Sequence, residues 1–147
     1  DMEADGYEVQ TTLESADVTD GSNLVLMTTP STMPLINACQ IKKGMHITAI
    51  GSDTAEKQEL DTKILRMADI VVADSLTQCQ ERGEIYKALL TDDLKMDMVI
   101  ELGCAIESGN RVRTSEDQVT VADLTGVAVQ DVQIAKVVSA ALVNVLG

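Results

Sequence analysis

Short continuous apolar runs alternate along this chain with charged stretches of helical periodicity, and each run ends in hydroxyls, glycine or aspartate. The first strong run is Asn23 to Thr29 (Asn-Leu-Val-Leu-Met-Thr-Thr), a pattern expected of a parallel strand buried on both faces and stopped by Pro30. His46 to Ile50 and Asp69 to Asp74 (Asp-Ile-Val-Val-Ala-Asp) repeat it, and Val119 to Thr125 (Val-Thr-Val-Ala-Asp-Leu-Thr) is a further strand ended by Gly126. Between them, Leu60, Ile64, Met67 and Ala68 recur at helical spacing. Helical patterns also cover Ser75 to Arg82 and, past Gly83, Glu84 to Leu90. Tyr7 to Thr12 alternates enough for a short strand, Leu13 to Val18 reads as a brief helix, and Pro34 to Gln40 as a weak helical turn. Met96 to Ile106 fits a short helix or a strand equally, and Ser108 to Gln118 is a polar loop. Strand and helix alternating in this way predict a doubly wound α/β domain with a parallel sheet.

The last helix, Val127 to Leu146, departs from the amphipathic norm. Apolar residues cover most of its circumference and leave only a narrow stripe of Gln130, Gln133 and Lys136. Such a helix is buried on more than one side, so the sheet is expected as one partner and a second partner is not in this chain.

The stretch from His46 to Leu60 carries the candidate chemistry. Ile47, Ala49 and Ile50 suit a buried strand, Gly51 permits the chain to turn, and acidic helix-forming sequence follows. In open α/β sheets ligands gather at the carboxyl ends of strands, where Gly51, Ser52 and Asp53 fall. Asp53 has two readings here: a catalytic carboxylate, or the amino-terminal cap of the next helix in a capping-box variant with Glu56.

Composition narrows the function classes. One domain of 147 residues with 45% hydrophobic content can fill a core. A net charge of −13, two Tyr and no Phe or Trp argue against nucleic acid and anionic membranes, which demand concentrated positive charge or stacking surfaces. No apolar run approaches the ~20 residues of a membrane span. Cys39, Cys79 and Cys104 are widely separated with no CxxC spacing, as expected of reduced thiols in a cytoplasmic protein. His46 is the only histidine, so no multi-histidine metal site is available, and its simplest reading is a partly exposed residue at a strand start. None of the nine glycines forms a GxG, so the phosphate-cradling turn of a dinucleotide fold is missing, and the chain starts at Asp1. Both features suggest a fragment.

Thr28-Thr29-Pro30-Ser31 followed by Pro34, Gly51-Ser52-Asp53 followed by Lys57-Gln58-Glu59-Leu60, Gly83-Glu84, and the run Asp123 to Asp131 together resemble the ornithine cyclodeaminase and mu-crystallin family. The four motifs occur in family order across most of residues 20 to 140. The resemblance implies the carboxyl-terminal portion of a Rossmann-type NAD(H)-binding domain spanning residues 1–147, lacking the glycine-rich first βαβ unit and the substrate-binding and dimerising domain. A sheet lacking its first strands would expose an edge beside Leu24 to Thr29, to be covered by Tyr7 to Thr12 or by another chain.

The resemblance further implies NAD(H), with NADP(H) as the alternative, a small amino-acid substrate, and a homodimer in the full-length protein, with the open sheet edge or the last helix as contact in this portion. In ornithine cyclodeaminases NAD+ takes a hydride from the amino-acid α-carbon, ammonia leaves and the hydride returns. An aspartate matching Asp53 acts there as acid/base, a task partial burial beside the nicotinamide would favour by raising its pKa. Thr28, Thr29, Ser31, Ile50, Gly51, Ser52, Thr125 and Gly126 match positions lining the nicotinamide and ribose. With the resemblance, catalysis leads capping for Asp53, and both can hold. Lys57, Glu59 and Asp131 read as helix-surface and capping groups. The first expectation is a cyclodeaminase-like lyase acting on a small amino acid, with a weak lean to the ectoine-pathway branch. The alternatives are a mu-crystallin-like binding protein, a ketimine reductase, or an alanine dehydrogenase with net NADH production.

Overall fold

A computed structural model describes residues 2–146, with side-chain surroundings through residue 142. Five parallel strands form one sheet in the order β1-β2-β5-β3-β4: β1 Leu24–Met27, β2 His46–Ala49, β3 Ile70–Ala73, β4 Val99–Glu101 and β5 Thr120–Asp123. The register is regular, with Ile47 opposite Val25 on one side and Val121 on the other, and Val71 opposite both Val121 and Val99. The helices are α1 Ser15–Gly21, α2 Thr62–Met67, α3 Gly83–Leu90, α4 Leu102–Glu107 and α5 Ala128–Leu146. The α/β class and the parallel sheet expected from the apolar runs are observed.

Because side chains alternate across a strand, Val25, Met27, Ile47, Ala49, Val71, Ala73 and Val121 share one face. They pack with Ile64 and Leu65 of α2 and Ile85 and Ala88 of α3 in one buried cluster. The opposite face is sparsely covered. Leu24 and Leu26 are exposed there, which corrects the expectation that β1 is buried on both faces. A 190 Å³ hollow on that side is lined by His46, Ile70, Val72, Thr120 and, from the polar loop, Val112 and Arg113.

Several local expectations change. Tyr7 to Thr12 forms no strand, and among the described residues nothing pairs with the outer edge of β1. The undecided stretch holds both options in succession, β4 and then α4. Ser75 to Arg82 contains only a short 3-10 turn at Gln78–Gln80. No helix follows Asp53; α2 starts at Thr62 and its cap is Asp61, whose side chain accepts from the Lys63 amide at 3.1 Å. The reason is tertiary. Gln58 N–H donates to Ser31 O and Asp61 N–H to Ile36 O, so the chain before α2 lies extended along residues 31–36 instead of coiling. Finally, α5 is exposed on every face over residues 128–142, so the sheet is not the partner its apolar surface predicts.

Candidate active site

The carboxyl ends of β1, β2, β3 and β5 lie side by side, because all four strands run parallel, and this rim gathers most of the predicted site residues. Thr28 and Thr29 follow β1, Ile50 to Asp53 follow β2, and Leu124 to Gly126 follow β5. The β2 end is locked to both neighbours: Ile50 N–H donates to Met27 O at 2.8 Å, and Leu124 N–H donates to Ala49 O at 2.9 Å.

Behind the rim stands a carboxylate the motif reading had placed on a helix surface. Glu59 is fully buried. Its Oε1 accepts from the Thr29 amide at 2.6 Å and the Thr29 hydroxyl at 2.8 Å, and its Oε2 from the Gly51 amide at 2.9 Å. This explains Gly51 differently from a simple turn. A Cβ there would drive into the Thr29 carbonyl oxygen and stand 2.5 Å from Glu59 Oε1, so glycine is required by close approach.

Glu59 is itself held in place by a second buried acid. Glu84, in the first turn of α3, accepts from the Glu59 amide at 2.7 Å and the Leu60 amide at 3.1 Å. Burial pushes its carboxyl up to about 7, against the lowering effect of those amides. Asp123, at the end of β5, accepts from the Ile85 amide at 2.8 Å through Oδ2, while its Oδ1 has no partner. Burial, and then the charges of Glu84 and Asp74, push Asp123 up to about 8. With Oδ1 buried and unpartnered, a charge on this carboxyl would be poorly compensated, in line with the raised pKa. Gly83, at φ +92°, passes so close that a Cβ would be 2.5 Å from Asp123 Oδ2. Asp74 finishes the arrangement on the β3 side, accepting from the Gly126 amide at 2.8 Å and the Thr125 hydroxyl at 3.2 Å.

Most of the predicted hydroxyls are therefore engaged within the protein. Thr29 donates to Glu59 and Thr125 to Asp74. Buried Ser52 donates to the Lys57 carbonyl at 2.9 Å, and Ser31 to the Met33 carbonyl at 2.6 Å. Thr28, Ile50 and Asp53 remain exposed on the rim, together with Gly126. Asp53 pairs with Lys57 at 2.5 Å, and that hydrogen bond holds its carboxyl below the usual range, not above it as burial would. Its amide donates to Gly51 O at 3.0 Å, so its place follows that of Gly51.

The exposed rim thus presents an apolar side chain (Ile50), a hydroxyl (Thr28) and a carboxylate held below its usual range by Lys57 (Asp53), all just past the ends of two neighbouring strands. The described residues include no glycine-rich turn to hold a pyrophosphate. His46 lies at the opposite end of β2, bonded to Thr120 and Thr48, and burial followed by the Arg113 charge lowers its pKa. It takes no part in the rim. Asp131 sits on α5, outside this cluster. The sequence signal that could have revealed Glu59 and Glu84 was the motif membership of Lys57-Gln58-Glu59-Leu60 and Gly83-Glu84, since neither carboxylate falls on an apolar period.

Comparison with known proteins places the rim in context. A sequence model described as the ornithine cyclodeaminase/mu-crystallin family matches residues 1–144. An uncharacterised cyclodeaminase of Sinorhizobium fredii is 42% identical over 116 residues, 78% of this chain and 35% of that protein. Among solved structures, an archaeal alanine dehydrogenase dimer with bound NAD superposes with a TM-score of 0.82 at 35% identity, covering 92% of this chain and 42% of that one. The iminosuccinate reductase of Paracoccus denitrificans in complex with NAD+ gives 0.69 at 34% identity, over 77% and 34% of the two chains. The chain spans 35% to 40% of the length of three curated relatives it matches, the Sinorhizobium fredii protein among them.

Proposed function

Since the chain belongs to the ornithine cyclodeaminase/mu-crystallin family, we propose that it supplies the nicotinamide-facing rim of an NAD-dependent enzyme that deaminates a small amino acid. The cyclodeaminase reaction, with NADP(H) as the alternative cofactor, is the first reading. Bound NAD+ supplies a hydride acceptor at the substrate α-carbon and, in a cyclodeaminase, gives the hydride back. Everything else falls to the protein. Thr28, Ile50 and the backbone of Gly51, Ser52 and Gly126 would face the cofactor, while Thr29, Ser31 and Thr125 hold those segments in shape.

The observation that carries this reading is Asp53, an exposed carboxylate at the carboxyl end of a strand flanked on both sides, next to the apolar Ile50. Paired with Lys57 it rests ionised, which suits a base that accepts a proton from the substrate amine or from an attacking group. Acting afterwards as an acid requires the Lys57 contact to loosen or a bound substrate to desolvate the carboxyl, either of which raises its pKa.

A second reading, net oxidation to the keto acid as in an alanine dehydrogenase, is supported by the 35% identity to the archaeal enzyme over 92% of this chain. One assay separates the two. Full-length protein given L-ornithine or L-alanine with catalytic NAD+ is followed for ammonia and NADH together. Ammonia without net NADH supports the cyclodeaminase, NADH in step with ammonia supports the dehydrogenase, and silence in both channels across small amino acids refutes the proposal.

A further inference from the structure

Glu59 touches neither solvent nor, on the reading above, the cofactor, yet it bonds both of the loops that would face it. We propose that Glu59 is a positioning residue for the cofactor-binding rim, its single carboxylate fixing the Thr29 and Gly51 backbones against each other; this rests on the NAD-site reading and deepens it.

The geometry calls for a group with acceptors on both arms. Two donors of Thr29 converge on Oε1 and the Gly51 amide meets Oε2. A glutamine of equal length would turn an NH2 toward an N–H on one side or the other, because an amide presents one acceptor and one donor where a carboxylate presents two acceptors. An aspartate is one methylene short of spanning both loops. The position of the carboxylate is set from behind: the Glu59 amide donates to Glu84, and its carbonyl accepts from Leu35 at 2.8 Å. Glu84 in turn rides on the first turn of α3, which Asp123 caps at Ile85. The ends of β1, β2 and β5 are thus joined through buried acids. The joined segments carry the exposed rim residues, since Thr28 adjoins Thr29, Ile50 adjoins Gly51, and Asp53 hangs from the Gly51 carbonyl. Burying a carboxylate this deeply is costly unless its bonds are complete, and here both oxygens are engaged by the two loops.

The test compares wild type, Glu59→Gln and Ile64→Val in the full-length protein, by NADH titration at low temperature and by amide hydrogen exchange. Ile64 lies in the core beneath the sheet, so Ile64→Val loses stability and keeps the NADH dissociation constant. Glu59→Gln is expected to bind NADH ~10- to 100-fold more weakly, the usual worth of charge-assisted hydrogen bonds. Exchange should accelerate at Thr29 and Gly51 but not at Ile47 or Thr48. A folded Glu59→Gln variant with wild-type affinity overturns the proposal, as does unchanged exchange at both amides. If Glu59→Gln does not fold, Thr29→Val removes one of the three bonds without touching the carboxylate. Faster exchange at Gly51 in that variant supports the proposal, and unchanged exchange overturns it. A wild type that binds no NADH defeats the cofactor reading and, with it, the functional half of this proposal. The exchange data then separately decide whether Glu59 orders the two loops.

Discussion

Raising the pH through neutrality should destabilise this fold, because two of its buried acids are protonated where the unfolded chain is not. Unfolded, the carboxyls of Glu84 and Asp123 titrate near ~4. Folded, burial lifts Glu84 from 4.5 to about 7, and burial with the Glu84 and Asp74 charges lifts Asp123 from 3.8 to about 8. Between these limits the folded protein keeps protons that the unfolded chain has released. Stability therefore falls as pH rises through that window, and the loss is complete above the folded values. Below ~4 both states are protonated and the penalty vanishes.

At about 1.4 kcal/mol for each unit, the Glu84 displacement alone corresponds to about 3 kcal/mol. Asp123 ionises second, against a Glu84 charge already present, so part of its shift belongs to the pair. Local opening of the first turn of α3 would let water reach both acids and limit the total cost to on the order of 5 kcal/mol. The surrounding groups set the usable range. Glu59 and Asp74 face the pair as further acids, and the Cys79 thiol, pushed up to about 12 by burial and then by the Asp123 and Asp74 charges, stays neutral throughout. His46 works in the opposite sense, since its lowered pKa adds stability as pH rises toward ~6.5 and nothing beyond. Asp53, Glu56 and Asp93 are held low by hydrogen bonds and act only in acid. From about pH 6.5 to 9 the buried carboxyls dominate. With no tryptophan in the chain, urea unfolding is best followed by far-UV circular dichroism at constant ionic strength. Wild type should lose stability across that range, and Asp123→Asn should reduce the slope, because Asp123 Oδ1 meets no donor and an amide there mimics the neutral acid. A flat or rising wild-type profile, or an equal slope in Asp123→Asn, would refute the protonation argument.

Asp53→Asn in the full-length protein should leave NADH binding nearly intact while turnover falls by ~10² to 10⁴, the usual cost of a lost acid/base; unchanged kcat would reduce Asp53 to a surface partner of Lys57. Gly51→Ala should cost about 3 kcal/mol in urea unfolding, since its Cβ has no room between Thr29 and Glu59; wild-type stability would contradict the packing described. The 147 residues expressed alone should bind NADH far more weakly than the full-length protein, as no glycine-rich turn offers helix amino-terminal amides to the pyrophosphate. Tight one-to-one binding in a calorimeter would show that the phosphates are held by another part of this chain.

What the sequence discloses and what it withholds follow one physical division. Apolar runs reveal the strands because burial is a property of each residue: Ile47, Val71 and Val121 are buried and fall inside the predicted segments. The same logic places Asp53 and Gly126 at the carboxyl rim, since a run that ends must end somewhere, and parallel strands end together. It fails where a segment spends its backbone on a distant partner. Asp53 with Glu56 offers a plausible helix start, yet Gln58 and Asp61 bond residues 31–36, and the cap moves to Asp61. Tyr7 to Thr12 alternates like a strand but finds no edge to join, and α5 has the composition of a buried helix without a burying neighbour among the described residues. Glu59 is the clearest case. Its neighbours in sequence are Gln58 and Leu60, and nothing local separates a carboxylate turned to water from one turned between two strand ends. Its three bonds go to residues 30 and 8 positions away. Pattern registers where apolar mass collects, whereas a buried acceptor is defined by donors that only the completed sheet brings together. The acids behind the rim are therefore the part of the site that had to be seen in three dimensions.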